Sequence, residues 1–182
     1  METKLPSKFA KTIKKYAKRL SKESISNRKN TDFKFLKGSD LDTEEGKDCW
    51  YFELDIQSGH YAGQKHIIEF KLIYGHGEDV YIYPKCAPKC SFISGGMWHP
   101  NISEKGTICL DTLDNNWSPM MSSSNVIQSI ILLLETPEPS SPQNKNASSM
   151  FVEDRQGYIE KIKDFYSNRI VPPYVKKMFS DI

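Results

Sequence analysis

Between Gly95 and Met121 the chain runs for 27 residues without hydrophobic periodicity, after a series of strand patterns and before an apolar helical one. A compact domain seldom carries so long a non-repetitive stretch unless the stretch has a function. The elements on either side are therefore read as its scaffold. On the N-terminal side three runs read as strands: Trp50 to Ile56 (WYFELDI), Lys65 to Tyr74 (KHIIEFKLIY) and Asp79 to Tyr83 (DVYIY), the last stopped by Pro84. Phe33 to Leu36 is read as a first strand, and Ser91 to Ser94 as a short closing one. The linkers SGHYAGQ and GHGED are short and rich in turn residues, which favours an antiparallel meander.

Helical patterns flank this sheet. Phe9, Ile13, Tyr16 and Leu20 recur at helical spacing, predicting an amphipathic helix over about 6–22, followed by a loop from Ser24 to Thr31. Ser122 to Asn125 offer N-caps for a helix over Val126 to Glu135, apolar on almost every side and so expected to be central. Thr136-Pro137 ends it. A short helix near Ala147 to Val152 and a last amphipathic one through Tyr158, Ile162, Phe165 and Tyr166, ended by Pro172-Pro173, complete the chain. The predicted class is α+β: an N-terminal helix, a four-stranded antiparallel meander, a long loop, then helices packed on one face.

Charge is distributed unevenly. Residues 1–37 hold 12 Lys and Arg against 3 Asp and Glu, whereas the remainder holds 13 against 20. The basic helix is either a solvated face or a dock for an acidic partner. Nucleic acid is not expected, because the aromatics of this stretch face the core and are not free to stack. The longest apolar run, Ile130 to Leu134, is too short to span a bilayer, so no membrane is expected. Four cysteines behind an N-terminus lacking a secretory pattern predict free thiols in the cytosol or nucleus.

Cys109 lies in the aperiodic stretch, eight residues after Asn101 and eight before Trp117. A structural thiol is the ordinary reading. Cys86-x3-Cys90 with His60, His66, His76 and His99 superficially offers zinc ligands, but no second Cys-x2-4-Cys pair appears, so no metal is assigned. A thiol hydrolase would need His99 as its base, and His99 precedes a rigid proline. A fourth reading is an acyl-carrying thiol without an adjacent base. That chemistry needs an amide donor for the tetrahedral oxyanion, which Asn101 could supply from its proline turn.

The string WHPNISEKGTICLDTL, followed by WSP, a buried helix and TPEPSSPQNKNAS, resembles the ubiquitin-conjugating enzymes. The elements occur in that family's order and spacing. The resemblance implies one catalytic domain over 1–182, with a core of 5–170 and a short C-terminal extension. It implies that Cys109 accepts ubiquitin as a thioester from an activating enzyme and passes it to a substrate lysine, usually with a ligase and without a cofactor. Asn101 would support the active-site loop and the oxyanion, His99 and Pro100 would be structural, and Leu110 and Asp111 would line the groove beside the thiol. Ser141 falls at a gate position that helps orient or desolvate the lysine, whose free pKa is roughly 10.4. Lys11, Lys14 and Lys15 would face the activating enzyme and, in part, a ligase. Pro84, Lys85, Ser118 and Pro119 match the ligase-contact turns. The chain departs from the family at Lys85, where many members carry an apolar anchor, at Ala87, which replaces a proline, and at an insertion around GHGED. A ubiquitin-like modifier, or a non-catalytic ubiquitin-binding variant, is the alternative.

Overall fold

The structure, a computed structural model, describes residues 7–38, 49–76, 79–108 and 117–178. Helix α1 (Ser7–Asn27) leads into strands β1 (Lys34–Gly38) and β2 (Cys49–Asp55), a 3-10 turn (Gly59–Tyr61) and β3 (Lys65–Lys71). Strands β4 (Ile73–His76), β5 (Asp79–Ile82) and β6 (Lys89–Phe92) follow. Four helices end the described chain: α2 (Ser123–Glu135), α3 (Lys145–Glu153), α4 (Arg155–Ser167) and α5 (Pro173–Met178). The class is α+β, as expected.

The main sheet is antiparallel with strand order β1-β2-β3-β6. Alternation in β2 turns Trp50, Phe52 and Leu54 inward, and the register Trp50↔Phe70 and Phe52↔Ile68 stacks them beside the inward residues of β3. Val126, Ile127, Ile130 and Leu134 of α2 close the core from the other side. Full burial of each such side chain stabilises the fold by about 1.5–3 kcal/mol. Ser122 caps α2 reciprocally: its Oγ accepts from the Asn125 amide at 3.3 Å, and Asn125 Oδ1 accepts from the Ser122 amide at 3.1 Å. These bonds satisfy amides that a helix start otherwise leaves open.

Five expectations need correction. The run Lys65 to Tyr74 is two strands broken at Leu72, whose carbonyl accepts from Tyr83 N at 2.8 Å. The strand at Asp79 pairs with β4 in a separate two-stranded ribbon, and β6 takes its place in the main sheet. Helix α1 continues through the predicted loop to Asn27, because Asn27 Nδ2 donates to Ser123 Oγ at 2.9 Å and is buried there. Helix α2 has a wet face, with Leu132 61% exposed. At the C-terminus Pro173 opens α5 rather than closing α4, a first-turn position that needs no amide hydrogen.

His66 on β3 is buried beside α4 and the segment after it. Its Nε2 accepts from the Tyr166 hydroxyl at 2.8 Å and from Arg169 Nη1 at 2.8 Å, and Nδ1–H faces Ser94 Oγ at 3.4 Å. Burial, and then the Arg169 charge, push its pKa down to about 3. The ring is neutral in the fold.

Candidate active site

Within the aperiodic stretch, residues 102–108 gain their order from β6. Phe92 N donates to Gly106 O at 2.7 Å and Ile108 N to Cys90 O at 3.2 Å, while Ser103 N donates to Thr107 O at 2.9 Å. Residues 102–108 thus form a narrow loop pinned to the sheet edge, with bridges Ser91↔Thr107 and Ile102↔Ile108. Gly106 is required at its tip. Its φ is +84°, and a Cβ there would lie 2.1 Å from the Phe92 carbonyl oxygen. This pinning fixes Ile108, 4% exposed, immediately before Cys109 in the chain. Cys109, Leu110 and Asp111 lie outside the described residues.

The His-Pro-Asn turn is bonded along its whole length to the segment 133–144. His99 is fully buried; Nδ1 accepts from the Asn101 amide at 3.0 Å, and Nε2–H donates to Leu133 O at 3.1 Å. The two partners fix the tautomer, and burial pushes the pKa down to about 4. A general base needs an open lone pair, and the one lone pair of this ring is taken. Pro100 O accepts from Gln143 N at 2.8 Å and Asn144 N at 2.9 Å.

Asn101 completes the clamp. Its Nδ2 donates to Glu138 O at 2.6 Å and Ser141 O at 3.2 Å, and its Oδ1 accepts from Glu138 N at 2.9 Å. Of the two roles expected of Asn101, loop support and oxyanion donor, these bonds belong to the first. Both side-chain N–H groups are held by carbonyls of the Pro-rich loop, so the geometry is that of a loop brace. Ser141 itself is exposed, held through its backbone. Upstream, the Tyr61 hydroxyl donates to Trp98 O at 2.6 Å and meets the Tyr158 hydroxyl at 2.7 Å, tying α4 to the entry of the turn.

A second constellation joins the two turns assigned to partner contact. Trp117 Nε1 donates to Pro84 O at 3.1 Å, and its ring lies 5.8 Å from Tyr83. Glu23 of α1 sits beneath them: Oε2 accepts from the Tyr83 hydroxyl at 2.6 Å and from Ser123 N and Oγ at 2.9 and 2.8 Å. Arg19 pairs with Glu23 Oε1 at 2.7 Å and donates to the carbonyls of Pro119 and Met121. Pro119 and Lys85 are exposed, Ser118 half-buried and Pro84 buried. Lys15 is exposed on α1, which also carries Lys11 and Lys14. Arg19, Glu23 and Glu138 were not singled out from sequence. The i,i+4 spacing of Arg19 and Glu23 was a visible signal, but their partners about a hundred residues away were not.

A family model described as ubiquitin-conjugating enzyme matches residues 19–166. The chain is similar to "Ubiquitin-conjugating enzyme E2 2" of Candida glabrata, 37% identical over 95 residues, covering 52% of this chain and 54% of that protein. It is also similar to the protein of that name in Debaryomyces hansenii, 38% identical over 99 residues, covering 54% of this chain and 56% of that one. The chain spans about half the length of these curated relatives. Among solved structures, a Plasmodium yoelii chain superposes with a TM-score of 0.69 at 26% identity, covering 87% of this chain and 97% of that one. The E2 domain of a Toxoplasma gondii ubiquitin conjugating enzyme gives 0.66 at 25% identity, covering 84% and 97%.

Proposed function

The chain belongs to the ubiquitin-conjugating enzyme family, and from that premise we propose that it carries ubiquitin as a thioester on Cys109 and delivers it to lysine. The observation that carries this reading is the family match across 19–166, which takes in the His-Pro-Asn turn, Cys109 and the Pro-rich loop. The locked His99 supports it as well: a carrier thiol without a neighbouring base does not activate water against its own thioester. In the loading step the Cys109 thiolate attacks the thioester carbonyl of a charged activating enzyme. A new C–S bond forms, the old one breaks, and the donor thiol leaves. In the transfer step a lysine amine attacks, the C–N bond forms, and the electron pair of the broken C–S bond returns to Cys109. The nitrogen sheds its proton to solvent.

Asn101 acts here as the brace of the loop that carries Ser141, and His99 with Pro100 holds that brace. Leu110 and Asp111 belong to the groove beside the thiol, and Ser141 to the lysine gate. The basic face of α1 with Lys11, Lys14 and Lys15 is the dock for the activating enzyme. The turns at Pro84-Lys85 and Ser118-Pro119, joined through Trp117, are the rim offered to a ligase. Among the described residues Cys49, Cys86 and Cys90 form no disulfide, which fits a reducing compartment, cytosol or nucleus.

The test mixes the protein with ATP, activating enzyme and ubiquitin, and reads a non-reducing gel. The expected result is an adduct that vanishes on reduction and is absent in Cys109→Ala. An adduct with a ubiquitin-like protein in place of ubiquitin would move the assignment to that modifier. No adduct with either would overturn it.

A further inference from the structure

We propose that Glu138 is the lysine-capturing residue of the transfer site, its carboxylate receiving the ammonium of the incoming side chain. The inference rests on the conjugating reading and goes beyond the gate position at Ser141. Glu138 is fixed relative to the His-Pro-Asn turn more firmly than any other residue of the Pro-rich loop. Its backbone N–H donates to Asn101 Oδ1 at 2.9 Å, and its carbonyl accepts from Asn101 Nδ2 at 2.6 Å. Pro137 and Pro139 on either side each restrict φ. The main chain that carries this carboxylate is thus positioned by the same side chain that holds Ser141.

The carboxylate is also oriented. Oε1 accepts both the Ser140 amide at 3.1 Å and the Ser140 hydroxyl at 2.7 Å. Oε2 has no hydrogen-bond partner among the described residues, and no described Lys or Arg pairs with Glu138. The Ser140 bonds hold the carboxyl below its usual range, so it is anionic at neutral pH. In the loop TPEPSSP it is the sole charged side chain. Ser141, one turn further on, offers a hydroxyl but no charge. An exposed anion with one oxygen pinned and the other open suits a group that binds a cationic amine without holding it tightly.

The experiment discharges preformed thioester under single-turnover conditions, with Nα-acetyl-lysine amide as one nucleophile and hydroxylamine, uncharged at neutral pH, as the other. Glu138→Gln keeps an acceptor for Ser140 and leaves the backbone clamp intact. It is expected to lower the lysine second-order rate about fivefold, as befits an exposed ion pair, through a raised half-saturating concentration at unchanged maximal rate. Hydroxylamine discharge should be unaltered, and high salt should shrink the lysine effect. Glu138→Lys should show a larger loss with the same selectivity. Equal losses with both nucleophiles, a fall in maximal rate alone, or no change in Glu138→Gln would overturn the proposal while leaving the conjugating activity in place. Failure of the wild type to charge would overturn both, and that is read before any nucleophile is added.

Discussion

Asn101→Ala is expected to leave loading of Cys109 nearly intact while loosening residues 138–144 and slowing transfer to lysine by about ten- to a hundredfold. The side chain makes three hydrogen bonds, two to Glu138 and one to Ser141. It is 4% exposed, so water cannot easily replace it. Its loss leaves one amide and two carbonyls of the loop without their partner. At about 1 kcal/mol net per bond, the loop is weakened by roughly 2–3 kcal/mol, enough for the stated rate loss if the transfer state needs the loop in place. Asn101→Asp is expected to do no better. It keeps the acceptor for Glu138 N but sets a carboxylate against two carbonyl oxygens. Amide hydrogen exchange separates this mechanism from an oxyanion donor. A brace predicts faster exchange at Glu138 N in Asn101→Ala, spreading to Gln143 and Asn144, whose amides bond to the adjacent Pro100 carbonyl. Unchanged exchange together with slowed transfer would return Asn101 to the oxyanion.

The contrast between those two roles shows what the sequence could carry. His-Pro-Asn, Cys109 and Trp-Ser-Pro were legible as a site because their spacing along the chain is itself the signal. So was the N-cap stretch Ser122 to Asn125, since capping partners lie within one helical turn. What Asn101 bonds to was not legible, because Glu138 and Ser141 are about forty residues away and polar loop residues show no periodicity. Length misled at Lys65 to Tyr74. An apolar run reads the same whether or not Leu72 turns its carbonyl to Tyr83 and hands the sheet edge to β6. Polarity misled at α1, where the stretch after Lys22 looks like a loop until Glu23 and Asn27 find buried partners at Tyr83 and Ser123. In each case tertiary hydrogen bonding decided against local pattern.

Acidification from pH 7 toward pH 5 is expected to destabilise the fold by several kcal/mol, through two histidines held neutral. His66 has a pKa pushed down to about 3 and His99 to about 4, each mainly by burial, against an ordinary value of about 6.5 when unfolded. Above pH 6.5 both states hold the rings neutral, and stability does not depend on them. Below it the unfolded chain takes up protons that the fold refuses, so stability falls as pH falls. The loss from His99 is complete only below about pH 4, and that from His66 below about pH 3. At about 1.36 kcal/mol per pH unit for each ring, the two together remove about 4 kcal/mol by pH 5, a large part of the 5–15 kcal/mol typical of a domain. Acidic side chains with ordinary values of about 4 remain largely ionised over that interval, so the slope belongs to imidazole. Urea midpoints measured from pH 8 to pH 5 give the test. The wild type should show a plateau above pH 7 and then a slope approaching two protons. His66→Gln, in which the amide oxygen can still accept from Tyr166 and Arg169, should lose about one of them. A flat profile down to pH 5 would mean that the imidazoles are protonated within the fold. The Asn101 N–H that donates to His99 Nδ1, and with it the clamp on the Pro-rich loop, would then need a different acceptor.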